Sequence, residues 1–302
     1  MKVGSHTCSV EIIRTINWMK EHARKARDEG RIVGFVPTMG ALHEGHTALI
    51  RRAQQDCSPV IASIFVNPKQ FGPKEDFSKY PRTFEKDAEK LSAAGASTLF
   101  APEAQEVYPD GFSTYVSVEG LSERLEGKSR PGHFRGVATV VLKLLEIVRP
   151  HFAYFGRKDA QQVQIITRMA RDLNLDTEIV VCPIVREADG LALSSRNTYL
   201  DKEERQAATV LSRALKEVRN EMKAGARDAF HLQTVMRRAI KEERLAVVDY
   251  AEIVDAVTFE AVTQVRRPCY ALLAVFLGRT RLIDNLYVEP AAENAEELVF
   301  YL

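Results

Sequence analysis

The chain has 302 residues, 45% of them hydrophobic and 27% charged, with a formal net charge of +1; at about 150 residues per domain this length supports two domains, each with a core. A charge so close to zero argues against a general nucleic-acid or membrane-surface binder, both of which favour a basic excess. The most apolar stretch, GVATVVLKLLEIV, is interrupted by Lys143 and Glu146 and does not make a spanning helix.

The N-terminal MKVGSHTCSVEIIRTINWMK lacks the apolar core of a secretory signal. Val10, Ile13, Ile16 and Met19 recur at near-helical spacing, which predicts a helix over 9–29 closed by Gly30. A strand IVGFV (32–36), a helix from about 45, a strand PVIASIFV (59–66), a helix near 84–94 and a strand STLFA (97–101) follow. Residues 136–148 predict a helix apolar on most sides and therefore buried, either in the core or at a dimer interface. A strand FAYF (152–155), a helix over about 159–173 and a strand EIVVCPIV (178–185) complete the series. This alternation predicts an α/β fold, a mostly parallel sheet with helices on both faces.

After about residue 188 the pattern changes. YLDKEERQAATVLSRALKEVRNEMKAG predicts one long helix with Asp201 at the N-cap and Glu204 three residues on, and a second helix covers about 228–243. AVVDYAEIVDA, CYALLAVFLG and TRLIDNLYVE read as strands, so 188–302 is expected to form a smaller C-terminal α+β domain and 1–187 the larger one. The acidic end, EPAAENAEELVFYL, reads as a loose tail or a short docking element. The four cysteines, Cys8, Cys57, Cys182 and Cys269, stand singly, which argues against a disulfide framework and structural zinc and for a reduced, cytoplasmic compartment.

Several strands stop at proline or glycine, as FVP, FVNP, LFAP and YFG, where a missing amide or a flexible residue ends pairing. Ligands of open α/β sheets sit beyond the carboxyl ends of the strands, so PTMGALHEGH, NPKQFGP and GRKDAQQ are expected along one rim. His43 and His46 flank Gly45 where a helix begins; its free amides and positive dipole end favour an anion such as phosphate. Imidazoles there suit stabilisation of charge developing on phosphate; solvated or capping histidines are the plainer alternative. A zinc site lacks a carboxylate or cysteine to complete it.

The strand followed by H-x-G-H resembles the signature of the class I aminoacyl-tRNA synthetase and nucleotidylyltransferase superfamily, which binds ATP or CTP on a Rossmann-like sheet. VPTMGALHEGH, SIFVNPKQFGPKEDFSKYPRT, HFRGVATVVLKLLEIVRP, FGRKDAQQ and VREADGLALSSRN, in this order, resemble the pantoate–β-alanine ligase family. The likeness runs from about residue 31 to 200 and more weakly to TRLIDN at 280–285. It implies that pantoate carboxylate attacks the α-phosphorus of ATP, that pyrophosphate leaves, and that β-alanine then takes the pantoyl group from the adenylate.

The resemblance also implies site residues. ATP would meet Met39, Gly40, Ala41, Leu42, His43, Glu44, Gly45 and His46, then Gly156, Arg157, Lys158 and Asp159, then Val185, Leu193, Ser194, Ser195 and Arg196. His46, as donor to phosphate, His43 and Lys158 are the implied catalytic groups; Arg157 occupies a position that the family fills variably, and Leu193 one where many relatives have methionine. Gln70 and Gln162 would hold pantoate, and Gln70 also β-alanine, since a neutral amide both donates and accepts. Asn67, Tyr80 and Arg82 would shape that pocket, and Gly132, His133 and Phe134 would order its edge. Magnesium would accompany ATP, bridging phosphate oxygens with few protein ligands; where relatives carry adjacent acidic residues, this chain has Lys86 before Asp87. A homodimer, no nucleic acid, no membrane, and a C-terminal lid hinged near 186–190 complete the expectation. The alternatives are another adenylate- or cytidylate-transferring member of the superfamily and a catalytically silent nucleotide-binding scaffold.

Overall fold

A computed structural model describes residues 10–73, 75–291 and 297–302. Cys8 and residues 292–296 of the acidic end lie outside the described residues. The chain divides into two compact units, Met1–Gly156 with Gln162–Cys182, and Arg157–Gln161 with Pro183–Leu302.

The first unit is built on β1 (Glu11–Ile13), α1 (Ile16–Asp28), β2 (Gly34–Thr38), α2 (Glu44–Asp56), β3 (Val60–Ile64), α3 (Phe84–Ala94) and β4 (Thr98–Phe100). Two short helices, α4 (Ala104–Val107) and α5 (Glu126–Ser129), precede α6 (His133–Val148), β5 (Phe152–Gly156), α7 (Ala160–Asp172) and β6 (Glu178–Cys182). The strands form one sheet in the order β1-β4-β3-β2-β5-β6, every pair parallel. Central strands covered on both faces need side chains that avoid water on both sides; β4 is buried at all three positions and β2 at four of five, which is why they read as apolar runs and not as alternation. The chain leaves β2 for β3 on one side and later returns to β5 on the other, so the switch point lies between β2 and β5.

Two sequence expectations change here. The described part of the segment expected as one helix, 10–29, is a strand followed by a helix. Glu11–Ile13 pairs with Thr98–Phe100 at the sheet edge, and the helix starts only at Ile16, whose amide donates to Glu106 Oε1 at 2.7 Å. The three-residue spacing of Val10, Ile13 and Ile16 mimics a helical period, but β-branched residues are equally at home in the strand. The strand expected over 178–185 ends at Cys182, because Pro183 has no amide to continue the ladder. Helix α6 buries 12 of its 16 residues within the single chain, so it packs as a core helix.

The second unit contains α8 (Lys202–Ala207), α9 (Val210–Lys223) and α10 (Ala229–Lys241), with β7 (Ala246–Asp255), β8 (Cys269–Leu277), β9 (Thr280–Pro290) and β10 (Leu298–Tyr301). Its sheet is antiparallel in the order β10-β9-β8-β7. Leu211, Leu215 and Val218 of α9 and Leu232, Val235 and Met236 of α10 share a core with Ala271, Leu273 and Val275 of β8. Asp201 accepts the Glu204 amide while the Glu204 carboxylate accepts the Asp201 amide, the expected capping box. The single long helix is not formed. At Thr209 and Leu211 the backbone tightens to i→i−3 bonds, and the Thr209 hydroxyl donates to Gln206 O at 2.8 Å, a local bond that competes with helical pairing. The described end of the acidic segment is β10, paired with β9, so it docks and is not a loose tail.

No helix of the described residues is long and apolar enough to cross a membrane. Cys57, Cys182 and Cys269 are buried and form no disulfide.

Candidate active site

In the first unit the site grows from the carboxyl end of β2, beside the switch point. Thr38 closes the strand, its hydroxyl donating to Ser63 O at 2.6 Å and accepting from the Gly40 amide at 3.2 Å. Gly40 and Ala41 then take positive φ, 82° and 51°. For alanine this costs on the order of 1 kcal/mol, and a partner must hold it there. That partner is Asp87 of α3. Its carboxylate accepts the Ala41 and Leu42 amides, each at 2.8 Å, and the Thr83 hydroxyl at 3.0 Å, and the residue is 1% exposed. Lys90, one turn on, donates to Leu42 O, so both sides of the loop backbone are gripped by one helix.

This loop delivers His43 to the N-cap of α2. The two histidines cap each other: His43 Nδ1 accepts the Gly45 amide at 3.2 Å, and His46 Nδ1 accepts the His43 amide at 3.2 Å. Their ring centroids lie 4.1 Å apart. A ring nitrogen that accepts an amide proton carries none of its own, so each neutral ring bears its proton on Nε2. The capping and functional readings of this motif are therefore compatible, since the cap selects the tautomer that donates through Nε2. Glu44 binds Arg51 and accepts from the Thr47 hydroxyl at 2.9 Å, so its side chain is engaged along its own helix.

Gln70 stands in a short 3₁₀ turn, Pro68–Gln70, after β3. It is buried, its Oε1 accepting from Asn67 Nδ2 at 3.0 Å and its Nε2 donating to Met39 Sδ at 2.9 Å. The residues expected for pantoate and for ATP thus touch at Met39. Asn67, 1% exposed, also donates to Gly136 O (3.1 Å) and accepts from Tyr108 Oη (2.8 Å) and the Lys69 amide (3.2 Å). Every hydrogen-bonding position of its amide is filled, which makes it a brace for the turn. The turn approaches α6 at Gly136, where a Cβ would meet Lys69 O at 2.2 Å and Gln70 Cα at 2.7 Å; glycine is required by that contact. Tyr80 packs edge-on to Phe71 and Arg82 lies over Phe77, so both support the wall through aromatic packing. Gln162 lies half-buried in the first turn of α7.

His133 is the hidden support of Gln70. Its Nδ1 donates to Gln70 O at 2.8 Å, and its Nε2 accepts from Arg130 Nη1 at 3.0 Å, while Arg130 forms two bonds with Glu75 at 2.8 and 2.7 Å. Burial, then the Arg130 charge, lowers the imidazole from 6.5 to about 4, matching a ring that uses one nitrogen to donate and the other to accept. Because the folded value lies below the unfolded one, the unfolded chain binds more protons between them. This contribution is complete above pH 6.5 and is lost as pH falls toward 4. Between pH 7 and pH 5 it should remove about 2 kcal/mol of stability. Urea denaturation of His133→Asn at both pH values should show that much less pH dependence than wild type; an equal dependence would rule out a buried neutral imidazole.

In the second unit, the turn Arg157–Asp159 and the segment 185–196 are both organised by β9. Asn285 Nδ2 donates to Arg157 O and Lys158 O, each at 3.0 Å. The neighbouring Asp284, 2% exposed, receives Arg186 through Nη1 at 2.7 Å and Nη2 at 2.9 Å. Arg186 also donates to Gly190 O (3.0 Å), the Leu193 amide to Val185 O (3.0 Å), and Asn197 Nδ2 to Ala192 O (3.1 Å). Ser194 caps the turn Ser195–Tyr199 by accepting the Arg196 amide at 3.3 Å. Glu187 and Asp189 both pair with Arg205, at 2.7 and 2.8 Å. Residues 186–190 are therefore held by several bonds within the second unit. Lys158 Nζ lies 3.8 Å from Asp159 Oδ1 with its side chain 19% exposed, on a turn fixed from behind by Asn285.

Sequence reasoning did not single out Tyr108, Arg130, Asp284 or Asn285. Asp284 and Asn285 were within reach through TRLIDN, whose adjacent acid and amide serve the two separate segments. Tyr108 carries no local signal because Asn67, which it supports, lies 41 residues away, and Arg130, although close to His133, is oriented by Glu75 at a separation of 55.

A family model described as pantoate-beta-alanine ligase matches residues 11–287. The pantothenate synthetase of Acetivibrio thermocellus is 52% identical over 280 residues, covering 93% of this chain and 100% of the relative. That of Heliobacterium modesticaldum is 54% identical over 281 residues, covering 93% and 99%. Among solved structures, pantothenate synthetase from Thermus thermophilus aligns with a TM-score of 0.87 at 43% identity, covering 91% of this chain and 98% of that one. Pantoate-beta-alanine ligase from Francisella tularensis, complexed with beta-gamma ATP and beta-alanine, aligns at 0.74 and 35% identity, covering 91% and 97%.

Proposed function

The chain belongs to the pantoate–β-alanine ligase family, and from that membership we infer that it condenses pantoate with β-alanine, converting ATP to AMP and pyrophosphate through a bound pantoyl adenylate. The observation that carries this reading is the family match over residues 11–287, with the polar residues of all five motifs in place. A pantoate carboxylate oxygen forms a bond to the α-phosphorus as the bond to the departing pyrophosphate breaks. The β-alanine amine then attacks the acyl carbon, AMP leaves, and the nitrogen gives up its proton.

Each role below is part of the same reading. Nε2–H groups of His43 and His46, at the positive dipole end of α2, donate to phosphate oxygens where charge builds. Lys158 supplies a positive charge, and Ser194, Ser195 and Arg196 supply further donors on a segment held by Arg186 and Asn197. Gln70 trades its weak bond to the Met39 thioether for a stronger one to pantoate, with Gln162 as the second amide. Neutral amides hold the carboxylate without pairing its charge, which keeps it nucleophilic. These groups work by positioning and electrostatics, and the scheme needs no covalent enzyme intermediate.

Magnesium enters as the cation carried by ATP. Among the described residues no group of three or more His, Cys, Asp or Glu is placed to hold a metal, and the carboxylate of Asp87 is occupied by backbone amides and Thr83. No protein ligand is assigned to it and no step depends on one. Buried cysteines outside any disulfide support a cytoplasmic location, and the family resemblance a homodimer.

The test is AMP formation with each component omitted, together with exchange of pyrophosphate into ATP. Exchange should require pantoate and proceed without β-alanine, whereas pantothenate should require all three substrates. Exchange driven by a different acid and not by pantoate would favour another adenylate-forming member of the superfamily.

A further inference from the structure

The turn that carries Lys158 is held from two directions, and one of them is supplied by a segment beyond the family model. Asn285 fixes its backbone by donating to Arg157 O and Lys158 O. The other hold is on the Arg157 side chain. Its guanidinium carbon lies 4.9 Å from the ring centroid of Tyr287 and 4.8 Å from that of Tyr301. The two rings are cross-strand partners of β9 and β10, with centroids 5.6 Å apart, and both hydroxyls donate to Glu289, at 2.6 and 3.0 Å. Arg157 Nε and Nη1 are buried and have no hydrogen-bond partner among the described residues, so the aromatic faces are the principal hold on this cation.

The family model ends at Tyr287, and Tyr301 lies beyond it. We infer that β10 is a positioning device: it closes the second aromatic face over Arg157, and so fixes the turn from which Lys158 meets the ATP phosphates. This rests on the reading of Lys158 given above. A guanidinium seated over two neighbouring rings is held more firmly than over one, and because Lys158 is the next residue, disorder at Arg157 passes directly into the position of its ammonium. Glu289 contributes by aligning both phenols, which keeps the rings facing the cation.

The test compares Tyr301→Ala, Tyr301→Phe and Lys158→Ala in the full chain, measuring kcat and the KM for ATP and for pantoate separately. Tyr301→Ala should raise the KM for ATP by roughly three- to tenfold, the range expected from losing one face of a cation–π contact, with the KM for pantoate unchanged. Tyr301→Phe keeps the ring and loses only the bond to Glu289, so it should raise the KM for ATP less than Tyr301→Ala does. In a Lys158→Ala background, Tyr301→Ala should add nothing further. An unchanged KM for ATP in Tyr301→Ala, beside a raised one in Lys158→Ala, would overturn the inference alone. Equal rises for both substrates, accompanied by a lower Tm, would reduce β10 to a stabilising strand and overturn it too. If Lys158→Ala itself leaves the KM for ATP unchanged, the role of Lys158 falls, and this inference with it.

Discussion

Replacing His46 with alanine should lower kcat by roughly 100- to 1,000-fold, the loss that follows removal of one donor aimed at developing charge. The structure allows this catalytic effect to be separated from a folding effect. His46 does two things: its Nδ1 accepts the His43 amide at 3.2 Å, and its Nε2 bears the proton of the neutral ring. Alanine removes both, and loss of the cap alone should cost about 1 kcal/mol of stability. Glutamine at the third position of a helix is an ordinary capping-box partner, because its side-chain oxygen reaches the N-cap amide. His46→Gln should therefore recover the stability that His46→Ala loses while turnover stays low. Kinetics and urea denaturation on the two variants would decide it. Turnover near the wild-type level in His46→Ala would remove His46 from the chemistry and favour a capping role alone.

The parts of this molecule that were legible in its sequence are those whose signals are local. Strand–helix alternation gave the parallel sheet, since central strands buried on both faces, such as Val60–Ile64, must be apolar at nearly every position. Asp201 and Glu204 announced a helix start because both halves of a capping box lie within four residues. The failures have equally physical causes. The edge strand Glu11–Ile13 is stabilised by a partner 87 residues away at Thr98–Phe100, and nothing nearby distinguishes it from helix. The break at Thr209 depends on one hydroxyl choosing a backbone carbonyl. Within the candidate site, His43, His46 and Gln70 were nameable from the motifs. The groups that orient them were not: Gln70 depends on His133 and Asn67, and these in turn on Arg130 and Tyr108. Such support is written in three dimensions, with sequence separations of 41 between Tyr108 and Asn67 and 63 between His133 and Gln70.

Asp87 is the residue whose role the structure changes most, and its substitution should have the largest combined effect on folding and activity. In sequence it keeps one of the two adjacent acidic positions that relatives carry; in the structure both of its oxygens face inward to the loop ahead of His43. Asp87→Ala leaves the Ala41 and Leu42 amides and the Thr83 hydroxyl without their acceptor. At about 1–3 kcal/mol for each buried group left unsatisfied, the loss should total about 3–5 kcal/mol after partial relaxation. The loop bears positive φ at Gly40 and Ala41, so without its acceptor it should relax and carry His43 and the start of α2 out of position. Asp87→Asn, although isosteric, should rescue little, because its NH₂ group would point at an amide that also donates. Magnesium dependence separates this role from metal binding. A lost metal ligand would raise the magnesium concentration needed for half-maximal activity while leaving the apo-protein as stable as before. A lost loop anchor should lower stability without magnesium or ATP present and reduce kcat, with the magnesium midpoint unchanged. A shifted midpoint in Asp87→Asn, at wild-type stability, would return Asp87 to the metal.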